Sequence, residues 1–158
     1  MDDAGSPPTH EVFRRLNRRE SLPLLASAQV GRLIFTVGAL PAVRVMNFVL
    51  VDQHIVLRTA ADTTVTRSVN DAIVAFEVDD VDVATSSGWS VTVTGRATLV
   101  TDPELIRRYQ MVPLVPWASG VRDQFVAITT EKVEGQRVSG PGTWTSSPPR
   151  YAAGADSR

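Results

Sequence analysis

A chain of 158 residues with 43% hydrophobic residues can form one domain with its own core, and is too apolar to be disordered throughout. It has no cysteine, which excludes disulfides and thiolate metal sites, and its two histidines, His10 and His54, make a zinc site a poor fit. With 16 basic against 17 acidic residues the net charge is −1, so nothing draws it generally to nucleic acid or to an anionic membrane.

No apolar run approaches the ~20 residues of a transmembrane helix. The acidic, polar opening MDDAGSPPTH differs from a secretory signal, so a soluble, cytoplasmic protein is expected. Lys132 is the sole lysine. A compositional bias toward arginine explains that plainly. Even so, Arg44, Arg58, Arg67 and Arg122 fall in or beside candidate strands, where rigid planar cations suit phosphate recognition.

In chain order, residues 1–16 read as a flexible arm, with Gly5, Ser6, Pro7 and Pro8 close together. Within it, residues 11–17 are read as irregular or as a short helix. Two starts suit the first full helix. Asn17 with Glu20 resembles a capping box but leaves Pro23 inside the helix. A start at Ser21 puts Pro23 in the first turn, where its missing N–H costs little. Either helix carries Leu22, Leu25 and Ala26 and ends near residues 29–31.

Strands follow at residues 31–37, 42–51 and 54–59, separated by short turn-like breaks. In the second, Val43, Val45, Val49 and Val51 share a face with Asn47, and Ala42, Arg44, Met46, Phe48 and Leu50 share the other. Both faces are largely apolar, so both are expected to be covered. A short helix over 63–70 leads to a strand over 72–78 and an acidic loop over 79–82. The carboxylates from Glu77 to Asp82 read as a solvated loop, with a divalent-cation site as the alternative. Residues 89–100 show the clearest period-two pattern: Trp89, Val91, Val93, Gly95, Ala97 and Leu99 alternate with polar residues.

Asp102-Pro103-Glu104 is a strong helix start, with an acid cap, proline in the first turn and an acid facing the dipole. That helix runs to about Met111. VPLVPWASG, with two prolines, reads as an ordered loop. Strands over 125–129 and 132–138 close the folded domain, 17–139, and residues 140–158 read as a disordered tail. Six or seven antiparallel strands with three short helices close most simply as a mainly β barrel, because closure removes exposed edges. Barrels of this size hold ligands at their rims and in dimer clefts.

No nucleophile elbow, P-loop or dinucleotide fingerprint is present. The order GRL-x-F-T, LPAVRVMNFVLVDQHIVLRT, GWSVTVTGRA and a Pro-Trp loop followed by Arg-Asp resembles the pyridoxamine 5′-phosphate oxidase-like flavin-binding split β-barrels, in particular a small actinobacterial subgroup. The resemblance covers about residues 22–138. It implies an antiparallel split barrel, a homodimer, and FMN at two sites across the subunit interface.

It also implies site residues. Arg44, Val45, Met46 and Asn47 match the segment that lies along the isoalloxazine and ribityl phosphate. Arg58 and Thr59 match the strand end that meets the phosphate, and Ser90 a polar flavin contact. Trp117 and Arg122 match residues given by the second subunit. Thr64 stands where relatives carry a phosphate-binding lysine, and Arg67, one turn on, is the candidate replacement. That loss leaves the deazaflavin F420 as an alternative cofactor.

Each position also has a plain reading. Arg44 suits a rim ion pair, Asn47 a bulge, and Arg58 an exposed strand face. Trp89 suits the core, and Trp117 a loop anchor. The leading expectation is a flavin-dependent oxidoreductase, moving hydride between a reduced nicotinamide or deazaflavin and a small substrate. The alternatives are a non-catalytic flavin, F420 or haem sensor, with His54 as the sole strand histidine, or a ligand-free structural dimer.

Overall fold

The structure is a computed structural model that describes residues 13–117 and 119–139. The elements are β1 (Phe13–Leu16), α1 (Arg18–Ser27), β2 (Val30–Val37), β3 (Leu40–Val51), β4 (His54–Thr59), α2 (Thr64–Val69), β5 (Ala72–Asp82), β6 (Ser87–Leu99), α3 (Pro103–Gln110), β7 (Gln124–Thr129) and β8 (Lys132–Val138). Residues 1–12 of the arm expected over 1–16, and the tail expected over 140–158, lie outside the described residues.

The strand order is β1-β8-β6-β5-β2-β3-β4-β7, and β6 also pairs with β7. That last pairing, with Ala97 opposite Ile128, closes six antiparallel strands into a barrel. β8 and β1 extend the sheet beyond the seam. β6 can serve two neighbours because it is long: its first half pairs with β8 and its last residues with β7.

Local sequence explains the hairpins. Gly38 and Ala39, then Asp52 and Gln53, adopt positive φ in pairs, the geometry of two-residue hairpin turns whose twist matches the strands. Inside the barrel, Leu33, Phe35, Phe48, Leu57, Phe76, Val91, Val93 and Val126 form one core, with Leu25 of α1 and Val65 and Val69 of α2 added from the helices. A second core, with Val56, Phe125, Tyr109 and Leu114, lies outside the sheet beneath α3 and the following loop.

Four expectations change. Phe13–Leu16 is a strand rather than irregular or helical, because it pairs along β8 from Val138 to Gly135. The helix start resolves in favour of Asn17. Its side chain accepts from the Glu20 N–H, Glu20 reaches back to the Asn17 N–H, and Pro23 is tolerated within the helix. The acidic loop is the continuation of β5, paired with β6 out to Asp82–Ser87. Finally, β3 is covered on both faces only in its second half, where Val49 and Val51 meet the outer core. Val43 and Val45 stay about half or more exposed, because the loop after α3 reaches only as far as Asn47.

Among the described residues no helix is long and apolar enough to cross a membrane.

Candidate functional site

A cleft of about 140 Å³ lies where the bare half of β3 meets the loop between α3 and β7. Val30, Val45, Met46, Asn47, Arg58, Pro116, Trp117 and Arg122 line it. Strand geometry brings the barrel side together. Val30 is directly opposite Asn47 across the β2–β3 ladder, and Arg58 lies opposite Phe125 on the β4–β7 ladder. The loop is tied on at two points. Asn47 Oδ1 accepts from the Trp117 backbone N–H at 3.2 Å, and Arg58 Nε donates to the Arg122 carbonyl at 2.5 Å.

Arg58 is the electrostatic centre of the cleft. It is half-buried, and its guanidinium carbon lies 5.5 Å from the centroid of the Phe125 ring. Most other arginines in the sheet and helices are neutralised: Arg32 by Glu77 and Asp79, Arg67 by Asp62, Arg96 by Asp71, and Arg108 by Asp52. Arg58 has no carboxylate partner among the described residues. A guanidinium oriented by a carbonyl and an aromatic ring, with terminal N–H groups in a cleft, is suited to receive an anion. Beside it Val45, Met46 and Trp117 supply an apolar wall, with Val45 and Trp117 largely exposed. A second hollow of about 350 Å³ adjoins this one on the far side of Asn47 and Trp117. Ala26, Ala28, Val49, Leu50, Pro113 and Leu114 are among its walls.

Six of the residues expected from the sequence therefore converge: Val45, Met46, Asn47, Arg58, Trp117 and Arg122. The other five do not line the cleft. Arg44 lies at the exposed start of β3 and bonds the Val43 carbonyl. Thr59 is buried within β4. Thr64 opens α2, and Arg67 is held at 2.7 Å by Asp62; neither lines the cleft. Ser90 lies on the outer face of β6 opposite Asp79 and Gln136, in a separate groove of about 570 Å³. Trp117 and Arg122 meet Asn47 and Arg58 of their own chain through backbone groups.

The sequence reading missed Val30 and Pro116. Only the strand register reveals Val30, while Pro116 could have been included as the neighbour of Trp117. The carboxylates once set aside for a cation are partly used up by Arg32, and the described residues contain no cluster of three metal-ligating side chains. His54 shares a short contact with the Asp52 carbonyl at the β3–β4 turn and does not line the cleft.

Residues 17–137 match the family model described as pyridoxamine 5′-phosphate oxidase. The chain belongs to this family. An uncharacterized protein of Mycobacterium tuberculosis is 44% identical over 139 residues, spanning 85% of this chain and 91% of that one. Among solved structures, the FAD binding protein from Mycobacterium smegmatis is 30% identical with a TM-score of 0.68, over 79% of this chain and 97% of that chain. A conserved protein of Corynebacterium diphtheriae is 32% identical with a TM-score of 0.67, over 80% and 98%. The split barrel, and its likeness to flavin-binding members of the pyridoxamine 5′-phosphate oxidase family, are thereby established.

Proposed function

We propose that this chain binds a flavin nucleotide, FMN in the first instance, and serves as a flavin-dependent oxidoreductase on a small substrate. The observation that carries the reading is Arg58: a half-buried guanidinium without a carboxylate partner among the described residues, next to an apolar wall. The residues fit the cofactor's two ends. Arg58 suits the phosphate, and Val45, Met46 and Trp117 suit the face of a flat ring, with Asn47 offering an amide at its edge. When bound, the flavin supplies the hydride and electron chemistry, and the protein's task is to bind, orient and shield it. No acid–base pair is needed for that role.

The cleft is smaller than a flavin, so the ring would extend over the bare half of β3. Val43 is 49% exposed there and Val45 67%. Large apolar side chains left bare on a sheet favour a covering partner. We infer that a second copy of the chain supplies it, giving a homodimer with a cofactor site at each interface, in keeping with a cytoplasmic enzyme.

FAD is the second reading. The M. smegmatis relative is named for it, and the adjoining 350 Å³ hollow offers room beyond FMN. F420 remains the alternative of the same shape class, through the absence of a lysine at Thr64.

The test is a visible absorption spectrum of protein purified without added cofactor, followed by fluorescence titration with FMN, FAD and F420. Oxidation of NAD(P)H or reduced F420 by the loaded protein separates an enzyme from a binder. A colourless protein that leaves the fluorescence of all three unchanged at micromolar concentration rejects the reading.

A further inference from the structure

We propose that Asn47 is a positioning residue that couples occupation of the anion site at Arg58 to the placement of Trp117. The inference rests on the flavin-nucleotide reading and deepens it.

Asn47 stands at a boundary. On the outer face of β3 the residue two before it, Val45, is bare, and the residue two after it, Val49, packs on the outer core. The loop crossing at this point changes in the same way: Leu114 is 5% exposed, whereas Val115 and Trp117 are each 74% exposed. Burial therefore does not fix Trp117. What holds its backbone is the hydrogen bond from its N–H to Asn47 Oδ1. Asn47 and Trp117 together form the partition between the 140 Å³ cleft and the 350 Å³ hollow, since both residues line both spaces.

A second tie of the loop is the Arg58 bond to the Arg122 carbonyl. The same guanidinium is thus both a loop anchor and the anion receptor. An anion on its terminal N–H groups restricts the guanidinium, and with it the Arg122 end of the loop. Asn47 transmits that restriction to Trp117 by holding the near end.

The side-chain chemistry explains why an amide suits this place. A carboxylate would accept the same N–H bond, but it would put negative charge into a cleft shared with Arg58 and Arg122. An alanine would leave the cleft neutral but release the loop.

The test uses the full chain and two probes, inorganic phosphate and FMN. Phosphate is colourless, so its effect on tryptophan emission is read directly. Trp117→Phe identifies the share of Trp117 among Trp89, Trp117 and Trp144. Phosphate is expected to alter the Trp117 emission of the wild type. In Asn47→Ala that response is lost and FMN binds at least tenfold more weakly. In Asn47→Asp the resting Trp117 emission stays as in the wild type, because the N–H acceptor is kept, yet phosphate and FMN binding both fall by more than tenfold. That separation of two readouts is not what loss of fold would give, and Asn47→Asp carries the test should Asn47→Ala fail to fold. The inference is overturned by Asn47→Ala that binds FMN as the wild type does, or by wild-type Trp117 emission that ignores bound phosphate. Should FMN and phosphate bind in an Arg58-dependent way with Asn47 irrelevant, only this inference fails. Should neither phosphate nor FMN bind the wild type, this inference fails with the FMN form of the reading, and the reading as a whole fails if FAD and F420 do not bind either.

Discussion

Arg58 donates from Nε to the carbonyl of Arg122, a residue 64 positions later, at 2.5 Å. This one bond joins the end of β4 to the loop before β7 and turns the guanidinium toward the cleft. A backbone carbonyl satisfies one N–H without neutralising the charge, so the cation stays available to an anionic ligand. An ion pair, as at Arg32 or Arg96, would cancel it.

Arg58→Ala should therefore weaken FMN binding by about 1.5–3 kcal/mol, the range for a hydrogen bond to a charged group, or roughly 10–150-fold. Arg58→Lys should recover part of the loss, since charge returns but the fork geometry does not. Fluorescence titration of FMN against each variant measures this. Equal affinity in wild type and Arg58→Ala would remove Arg58 from the site.

Arg67→Ala should behave differently. Its guanidinium is held by the side chain and carbonyl of Asp62, and both side chains are well exposed. An exposed pair of this kind contributes about 0–1 kcal/mol to stability. Because α2 does not line the cleft, FMN affinity should stay within about twofold. A tenfold loss in the same titration would bring α2 into the site and restore Arg67 as the stand-in for the lysine absent at Thr64.

The contrast between these two arginines also marks what the sequence could reveal. The strands were legible because alternation is a local property. Val91, Val93 and Ala97 face the core as the pattern of β6 required. Asp102 and Pro103 announced α3 with equal clarity. Which polar residues share a cleft is not local. Arg58 and Arg67 look alike in sequence, and only the ladder with β7 and the presence of Asp62 separate them. The place of Ser90 is equally non-local: its neighbours on the outer face come from β5 and β8, and pairing partners leave no trace in a single strand. The length of β5 was underread because Asp79, Asp80 and Asp82 have low strand propensity, yet the β6 ladder holds them extended. The bare half of β3 was missed because an apolar pattern cannot say what covers it.

Acid should loosen α1 through its cap. Glu20 accepts from Arg14 at 2.7 Å and from the Asn17 N–H at 2.9 Å. The Arg14 bond first, then the Asn17 N–H, hold its carboxyl below the usual carboxylate range. A depressed acid stabilises the fold above its unfolded pKa of about 4.3, and that contribution is lost as pH falls through the lower folded value. Glu20→Gln can still bond the Asn17 N–H but carries no charge. Its Tm should fall less between pH 7 and pH 3 than that of the wild type. Parallel melting curves would show that the Glu20 carboxylate has no share in acid sensitivity.

The barrel seam should be intolerant of any side chain at Gly95. There β6 passes close to β7, and a Cβ would land on the Thr129 carbonyl oxygen and against its hydroxyl. Neither can withdraw cheaply. The carbonyl is backbone in a paired strand. The hydroxyl accepts from the Arg96 N–H at 2.9 Å and lies 2.9 Å from Glu131. Gly95→Ala therefore has to push β7 away from β6, opening the pairing at Ala97 and Ile128 that closes the barrel. A clash with backbone costs at least the ~1–3 kcal/mol of ordinary overpacking, and here should approach or exceed the upper end. Urea denaturation should show a lower midpoint with an unchanged slope. Because β7 also carries Phe125, the ring beneath Arg58, FMN affinity should fall in the same variant even where it remains folded. A Gly95→Ala protein with wild-type midpoint and wild-type FMN affinity would mean that the β6–β7 seam is looser than drawn and does not position the cleft.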